Sequence, residues 1–466
     1  MGTTEGRHEG SRRNGTGRLP VAKSHLGTLV RRLNDPFARA TGTSIAIQLG
    51  AVGFAFVQAL LAARLLGATG YGSVAWAMSV VSVAATVCLL GFGPLAVREI
   101  PARRASGDSA GLAGFVVVSL AIVGTLSIGV AAAFVWFVSR ASWIADDYHD
   151  ILALCGLLIP PLAIIALLRG IAQGFGRFAL AQVPGDLVRP GILIAAMAAA
   201  FVTRTAFGPL PFIQTAIAGT WIAAFVLGYL LWRDEFSALP APREGVGRRA
   251  HVIAALPFLG LGLTGLLEAE VSTLLLGAIA GPFETGIFQP VVRIAPLIML
   301  PVQAALMQFA PLVAGHWQRG EIREIRALTT KFTALTAAMT AGAALAIALA
   351  GPALLGVFGA DFVQSAHLLW LIAAAQIFNA SCGPVGTLLI MSDRSGWALG
   401  GQLLGLAVNV ALGMALIPAY GALGAALGIA GGIAAWNIVL VGVVRRRLGF
   451  DPTLIGALRR SGRRAG

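Results

Sequence analysis

Residues 43–66 read TSIAIQLGAVGFAFVQALLAARLL, residues 67–73 read GATGYGS, and residues 74–93 read VAWAMSVVSVAATVCLLGFG. Each apolar stretch is long enough to cross the roughly 30 Å hydrocarbon core of a bilayer as an α-helix. The glycine-rich segment between them suits a phosphate-binding loop, a turn in a soluble protein or a turn at a membrane surface. A phosphate-binding loop would follow a strand, and none is predicted here. The pattern therefore favours the membrane-surface turn, with Tyr71 and Arg64 in the headgroup region.

The composition of the whole chain agrees with this interpretation. Hydrophobic residues make up 57%, charged residues only 12%, and the mean hydropathy is +0.83. A soluble domain carries about a quarter charged residues, so this chain has too little polar material to cover a water-exposed surface. The sequence predicts an all-α polytopic membrane protein.

Twelve membrane spans are predicted along the chain, and fourteen is the alternative count. The span at 186–203 is the weakest, because it carries Asp186, Arg189 and Pro190. The predicted spans lie near 43–65, 70–93, 111–138, 150–171, 186–203, 210–232, 251–279, 285–312, 329–350, 366–391, 395–416 and 420–443.

The positive charges predict the orientation. If residues 1–42 are cytoplasmic, most of the 34 Lys and Arg fall in cytoplasmic segments, and only Arg64, Arg140 and Arg204 fall in outward ones. This positive-inside bias predicts a multi-pass protein of the cell (inner, cytoplasmic) membrane with both termini in the cytoplasm. The basic tails suit anionic membrane lipids rather than nucleic acid, since no aromatic residues are interleaved with the charges. Residues 24–39 suit a short interfacial helix on the inner surface.

The sequence carries no motif that indicates catalysis. A nucleophile elbow, HExxH and a Walker sequence are all missing, the six histidines are scattered, and the three cysteines fall inside predicted spans. We therefore expect no enzyme, no catalytic residue, no metal site and no cofactor. The carboxylates of DDYHD (146–150) are the one cluster that a membrane glycosyltransferase or polymerase could use, and a solvated loop explains them equally. GLGLTG (260–265) lies inside a span, where close helix packing explains its glycines.

A repeat divides the chain into two halves. LLGATGYGS in the first half corresponds to LLLGAIAGPFETG in the second, which pairs Gly67 with Gly277 and Gly72 with Gly286 at an offset of about 210 residues. The repeat predicts two six-helix lobes related by a pseudo-two-fold axis along the membrane normal, an arrangement common in secondary transporters. The predicted segments are a tail at 1–42, lobes at 43–232 and 251–443, a cytoplasmic linker at 233–250 and a basic tail at 444–466.

Four stretches resemble the polysaccharide flippases of the multidrug/oligosaccharidyl-lipid/polysaccharide (MOP) exporter superfamily. They are the opening hairpin LLGATGYGSVAWAMSVVSVAATVCLLGFGPLAVREI (65–100), LLRGIAQGFGRFALAQVPGDLVRP (167–190), GIFQPVVRIAPL (286–297) and FGADF (358–362).

The resemblance implies transport of a polyprenyl-diphosphate-linked oligosaccharide, a precursor of a cell-surface polysaccharide such as lipopolysaccharide, from the inner to the outer leaflet. It also implies alternating access between two lobes, driven by a coupling H⁺ or Na⁺ or by the membrane potential. Contact with polysaccharide assembly machinery would follow. A cation-coupled multidrug exporter of the same superfamily is the alternative, although such an exporter needs acids in the first lobe, and the first four predicted spans carry none beyond Asp150 at the outer end of the fourth.

Charged residues inside spans are the main site candidates, because each costs about 2.5–3.5 kcal/mol on insertion scales. Asp186 and Arg189 are three apart, so they form either a local ion pair or an inner contact for the diphosphate. Arg293 is either a cavity cation or the partner of an acid on span seven. Glu268 and Glu270 point about 200° apart on a helix, so we expect at most one to face the cavity and favour Glu268.

The amides Gln58 and Asn379 are weaker cavity candidates. Amides inside membrane spans more often hydrogen-bond to a neighbouring helix than face a substrate.

Overall fold

The structure is a computed structural model that describes residues 36–140, 146–241 and 248–464. Most of the predicted cytoplasmic tail, including the interfacial segment at 24–35, lies outside the described residues, as do residues 242–247 of the predicted linker. The chain divides into a unit of Met1–Ala46 and a unit of Ile47–Gly466. The architecture below is that of the second unit.

The first half of the described chain consists of eight α-helices. A π-helical turn, Pro184–Val188, joins α6 to α7. The helices are α1 (Pro36–Leu89), α2 (Phe92–Ala105), α3 (Ser109–Val138), α4 (Asp146–Gly156), α5 (Ile159–Gly174), α6 (Phe178–Val183), α7 (Arg189–Thr203) and α8 (Pro209–Asp234).

The second half consists of ten α-helices. A 3₁₀ turn, Ala295–Met299, joins α10 to α11. The helices are α9 (Arg248–Ile279), α10 (Pro282–Ile294), α11 (Leu300–Gln318), α12 (Ile322–Phe358), α13 (Ala360–Val363), α14 (Ala366–Cys382), α15 (Val385–Met391), α16 (Ser395–Tyr420), α17 (Ala422–Leu448) and α18 (Leu454–Arg464).

The structure confirms the prediction of an all-α polytopic membrane protein. The described residues include ten helical segments long and apolar enough to span a membrane, or eleven if the bent pair His149–Gly156 and Ile159–Gly174 is one span. The longest segment, Ile47–Ala105, has 59 residues. At 1.5 Å per residue it is far longer than one crossing requires, and a break at Gly67 divides it. The weakest predicted span, 186–203, is helical and begins earlier, at Phe178.

A single residue, Gly67, breaks α1. Its backbone has φ 66° and ψ −180°, in a region that glycine adopts most readily, whereas Gly70 and Gly72 lie within the helix that follows. The predicted seven-residue turn at 67–73 is therefore wrong in extent. Gly281 has nearly the same conformation, with φ 89° and ψ −173°, and it follows Gly67 by the same 214 residues that separate Gly286 from Gly72. Gly281 is thus the counterpart of Gly67, and the predicted pairing of Gly67 with Gly277 is wrong.

The two halves meet at a reciprocal contact between paired glycines. A Cβ added at Gly72 would overlap the carbonyl oxygen of Pro282, and one added at Gly286 would overlap that of Ala68. Pro282 follows Ala68 by 214 residues, the spacing that also separates the glycines. The same contact is therefore made twice with the roles of the halves exchanged, as a two-fold axis requires.

From this contact, α1 continues alongside α9 in the opposite direction. The Nε1 of Trp76 donates to the carbonyl oxygen of Leu274 at 3.0 Å, and Gly277 leaves the room that the indole occupies. Further along, Gly91 lies against the backbone of Ala255 and Leu259. The first and second halves are thus joined along the length of one helix.

The position predicted for Tyr71 differs from that observed. Tyr71 is only 6% exposed and its ring meets the edge of Phe362 at 6.5 Å, so it is buried against the second half of the chain rather than exposed to headgroups. The side chain of Arg64 is exposed, and its Nε donates to the carbonyl oxygen of Val357 at 2.7 Å.

Candidate substrate cavity

A cavity of about 710 Å³ lies among helices of the second half. Side chains from α9, α10, α11, α14, α16 and α17 line it, together with the 3₁₀ turn Ala295–Met299. Its volume is in the range of pockets that hold a drug-sized ligand. The cavity is therefore large enough for a substantial organic substrate.

The charged residues of the cavity lining are Glu268, Glu270 and Arg293. Both acids line the cavity, so the expectation that at most one would face it is wrong. Ala269, between them, lines the cavity too: this turn of α9 projects into open space, and side chains from both flanks reach it. With two acids and one base, the lining has a formal excess of one negative charge.

Glu270 is tied to the first half of the chain. The hydroxyl of Ser79, on α1, donates to its Oε2 at 2.5 Å. The same hydroxyl lies 3.0 Å from the carbonyl oxygen of Ala75, and because it carries one proton it can donate to only one of them at a time. Glu268 is exposed and has no hydrogen-bond partner among the described residues. The two acids therefore differ in role: Glu270 joins the two halves, and Glu268 is open to the cavity.

Arg293 is exposed to the cavity. Within the described chain it forms no ion pair with Glu268 or Glu270, so of the two expectations for this residue the geometry matches the cavity cation. The phenol of the buried Tyr71 lies near its guanidinium. Tyr71 comes from the opening glycine-rich segment, which the sequence analysis did not connect with any cavity residue.

Asp186 and Arg189 do not form the expected local ion pair. Asp186 instead accepts two hydrogen bonds from the guanidinium of Arg169 on α5, at 3.0 and 2.5 Å. Asp186 lies in the π-helical turn Pro184–Val188, which widens the helix and alters the angle between residues three apart. Neither Asp186 nor Arg189 lines the large cavity. Arg169 lines a smaller cavity of about 300 Å³ formed by α1, α2 and α5.

Of the two predicted amides, Asn379 lines the large cavity and Gln58 does not. The Oδ1 of Asn379 also accepts a hydrogen bond from the Nδ2 of Asn437 on α17 at 2.9 Å. Asn379 thus both faces the cavity and joins two helices.

Most of the polar cavity lining was not predicted from the sequence. Apart from Thr273, the side chains that were not predicted are carboxamides inside spans, which carry no charge and so lack the cost that singled out the acids and Arg293. These residues are Gln289, Gln303, Gln376, Gln402 and Asn409.

Comparison with known protein families agrees with the membrane-protein fold. Residues 37–312 match the family described as polysaccharide biosynthesis protein. No curated protein sequence matches the chain.

Several solved structures share the fold at low sequence identity. An inward-facing multidrug resistance MATE family transporter of the MOP superfamily aligns with a TM-score of 0.66 and 14% identity, over 84% of this chain and 94% of the other. The lipid II flippase MurJ, in an inward closed conformation, aligns with a TM-score of 0.65 and 11% identity, over 86% and 87%. A MOP superfamily transporter from Pyrococcus furiosus aligns with a TM-score of 0.54 and 14% identity, over 87% and 93%.

Proposed function

This chain belongs to the polysaccharide biosynthesis protein family and has the fold of the MOP superfamily transporters, and on that premise we propose that it is a flippase. Its substrate is a polyprenyl-diphosphate-linked oligosaccharide, a precursor of a cell-surface polysaccharide, which it moves from the inner to the outer leaflet of the cytoplasmic membrane. It acts as a transporter and not as an enzyme, with both termini in the cytoplasm and its basic segments against anionic lipids.

The observation that carries the proposal is Arg293. A guanidinium that is exposed in a membrane cavity and not neutralised by the neighbouring acids is costly, and an anionic substrate would offset that cost. Its planar fork donates parallel hydrogen bonds that suit a diphosphate. Arg293 also lies near Tyr71, which precedes Gly72 at the contact between the two halves, where a substrate passing between lobes would be held.

In the proposed mechanism, the two lobes rock about the glycine contact at Gly72 and Gly286. Glu268 binds the coupling H⁺ or Na⁺, because it is the acid in the cavity lining that is open and has no partner in the described chain. Glu270, held by Ser79, joins the lobes in the conformation described. The polysaccharide assembly machinery would take up the flipped precursor.

The test is complementation of a deletion strain in which lipid-linked sugars are measured. We expect the deletion to accumulate lipid-linked oligosaccharide in the inner leaflet. Arg293→Ala should lower complementation at least about ten-fold at unchanged protein abundance, because a charge-assisted hydrogen bond contributes about 1.5–3 kcal/mol.

Arg140→Ala serves as the matched control. Arg140 lies outside the cavity, over the ring of Trp136 at 5.3 Å, and its loss should leave complementation unchanged. A fully active Arg293→Ala protein would exclude Arg293 as the diphosphate contact.

A second candidate is a cation-coupled multidrug exporter. The observation that favours it is the formal excess of one negative charge in the cavity lining, which would attract a cationic drug. In that case the deletion strain becomes sensitive to cationic drugs and its lipid-linked sugars are unchanged.

A further inference from the structure

The polar surface of the large cavity consists chiefly of uncharged carboxamides. They come from four helices: Gln289 from α10, Gln303 from α11, Gln376 from α14 and Gln402 from α16. Each carboxamide has two N–H donors and an acceptor oxygen. A set of neutral groups that both donate and accept around one space is suited to a ligand rich in hydroxyl groups.

Much of this hydrogen-bonding capacity is not used within the protein. Gln303 and Gln402 are exposed and form no hydrogen bond with any described residue. Gln376 uses only its Oε1, which accepts from Asn379 at 3.2 Å. The Nε2 of Gln289 donates to Thr273 at 3.2 Å, which leaves its oxygen available. The free donors and acceptors therefore come from lining residues of four helices.

An aromatic ring lies beside these amides. Trp436 of α17 lines the cavity, and the small residue Gly405 of α16 packs against its Cβ and ring. The indole is half-buried and gives the cavity a flat apolar surface next to its polar groups. A sugar ring has both kinds of surface, with hydroxyl groups at its edge and C–H groups on its faces.

The charged lining residues come from other helices than three of these amides. Glu268 and Glu270 lie on α9 and Arg293 lies on α10, whereas Gln303, Gln376 and Gln402 lie on α11, α14 and α16. Arg293 is the only cation among the described lining residues and lies near Tyr71 of α1. The anionic and neutral parts of an amphiphilic substrate would accordingly bind at different positions.

We propose that the carboxamides of Gln303, Gln376 and Gln402, together with Trp436, form the glycan-recognition site of the transporter, distinct from the diphosphate contact at Arg293. The ligand class is an uncharged oligosaccharide. This assignment rests on the proposed flippase function and adds to it the location at which the sugar, rather than the lipid diphosphate, is recognised.

The test compares two lipid ligands on the full-length protein in nanodiscs. One is the pool of polyprenyl-diphosphate-linked glycans extracted from the source cells, and the other is polyprenyl diphosphate without a sugar. Native mass spectrometry gives the affinity for each. We expect the glycan-bearing lipids to bind the wild-type protein about ten-fold or more tightly than the sugar-free lipid, since a few neutral hydrogen bonds at about 0.5–1.5 kcal/mol each supply that factor.

The double variant Gln376→Leu, Gln402→Leu removes two carboxamides at similar side-chain volume. The glycan-dependent advantage, which is the ratio of the affinity for the glycan-bearing lipids to that for the sugar-free lipid, should fall to about one- to two-fold in this variant. Its affinity for the sugar-free lipid should stay within about two-fold of wild type. Gln48→Leu is the matched control, because Gln48 is an exposed amide of α1 that does not line the cavity, and it should retain the full advantage. Arg293→Ala should weaken both lipids together.

Three results would overturn the assignment and leave the flippase function in place. They are a wild-type protein that binds both lipids equally, a double variant that keeps the glycan-dependent advantage, and a double variant that loses both lipids to the same extent. A wild-type protein that binds neither lipid would overturn the flippase function itself, and the glycan site with it.

Discussion

At the scale of single residues, the contact between the halves depends on the absence of two side chains. Gly72 and Gly286 each lie against backbone atoms of the opposite half, and a Cβ at either position would overlap a carbonyl oxygen. Backbone cannot rotate away as a flexible side chain can. A methyl group here must therefore separate α1 from α10.

We predict that Gly286→Ala lowers the melting temperature and abolishes transport, because overpacking of a close contact costs about 1–3 kcal/mol or more. Thermal unfolding of the purified protein and lipid-linked sugar transport are the measurements. Gly265→Ala is the control, since a Cβ at that helical position meets no atom within 4 Å. Equal melting temperatures for the two variants would mean that the glycine contact does not hold the halves together.

Residue pairings were the part of the site that the sequence predicted least well. Glu268 and Arg293, which the cost of burying charge singled out, both line the large cavity, but the partners of Asp186 and Glu270 come from other helices. Arg169 and Ser79 could not be identified as these partners from spacing along one helix, because tertiary packing brings them close. The prediction for Tyr71 was wrong because its amphipathic ring suits a membrane interface as well as a buried contact.

At the scale of elements, hydropathy and turn residues predicted the spans well. The predicted spans at 111–138, 210–232 and 395–416 correspond to α3, α8 and α16, each longer by a few residues at one or both ends. The extra helix at the end of α8 carries Arg233 and Asp234, which a hydropathy window excludes. The break at Gly67 was overestimated because glycines at 70 and 72 resemble turn residues, whereas Gly72 is required for close packing inside a helix.

The C-terminal helix α18 is attached through a small loop that includes Asp451. Its carboxylate accepts from the backbone N–H and hydroxyl of Thr453 at 3.0 and 2.8 Å and from Arg445 at 2.7 Å. The hydroxyl of Thr333 on α12 donates to the carbonyl oxygen of Pro452 at 2.9 Å. Burial raises the pKa of Asp451, but the hydrogen bonds from Thr453 and Arg445 outweigh burial and hold this pKa below its ordinary value.

We predict that Asp451→Asn increases amide hydrogen exchange in residues 454–459 about five-fold at neutral pH, as loss of a capping interaction of about 1 kcal/mol would. A lowered pKa in the folded protein means that the stabilisation is present above the ordinary value near 4 and is lost as the pH falls below it. Wild-type exchange should therefore approach that of the variant in acid. Asp361→Asn, at an exposed carboxylate of α13, is the control, and unchanged exchange in Asp451→Asn would refute the attachment.

At the scale of the whole molecule, the cysteines make alternating access measurable. Cys88, Cys155 and Cys382 are free and are 0%, 0% and 6% exposed. A membrane-impermeant maleimide should therefore leave the wild-type protein unlabelled. A cysteine introduced into the cavity then reports access to it without prior removal of native thiols.

We predict that Gln303→Cys is labelled from one side of the membrane at a time, and that the labelled side changes when lipid-linked glycans are supplied. Right-side-out and inverted vesicles give the two measurements. Thr205→Cys, at an exposed position between α7 and α8, is the control and should be labelled from the same side throughout. Labelling of Gln303→Cys from both sides in one state would be incompatible with alternating access.

The reciprocal glycine contact also limits which sequences the two halves can carry. In a homodimer, two copies of one surface meet around an axis, and each residue near that axis faces its own copy. Gly72 and Gly286 face each other in this way within one polypeptide. Neither position can therefore carry a side chain unless the opposite half retreats at the same point.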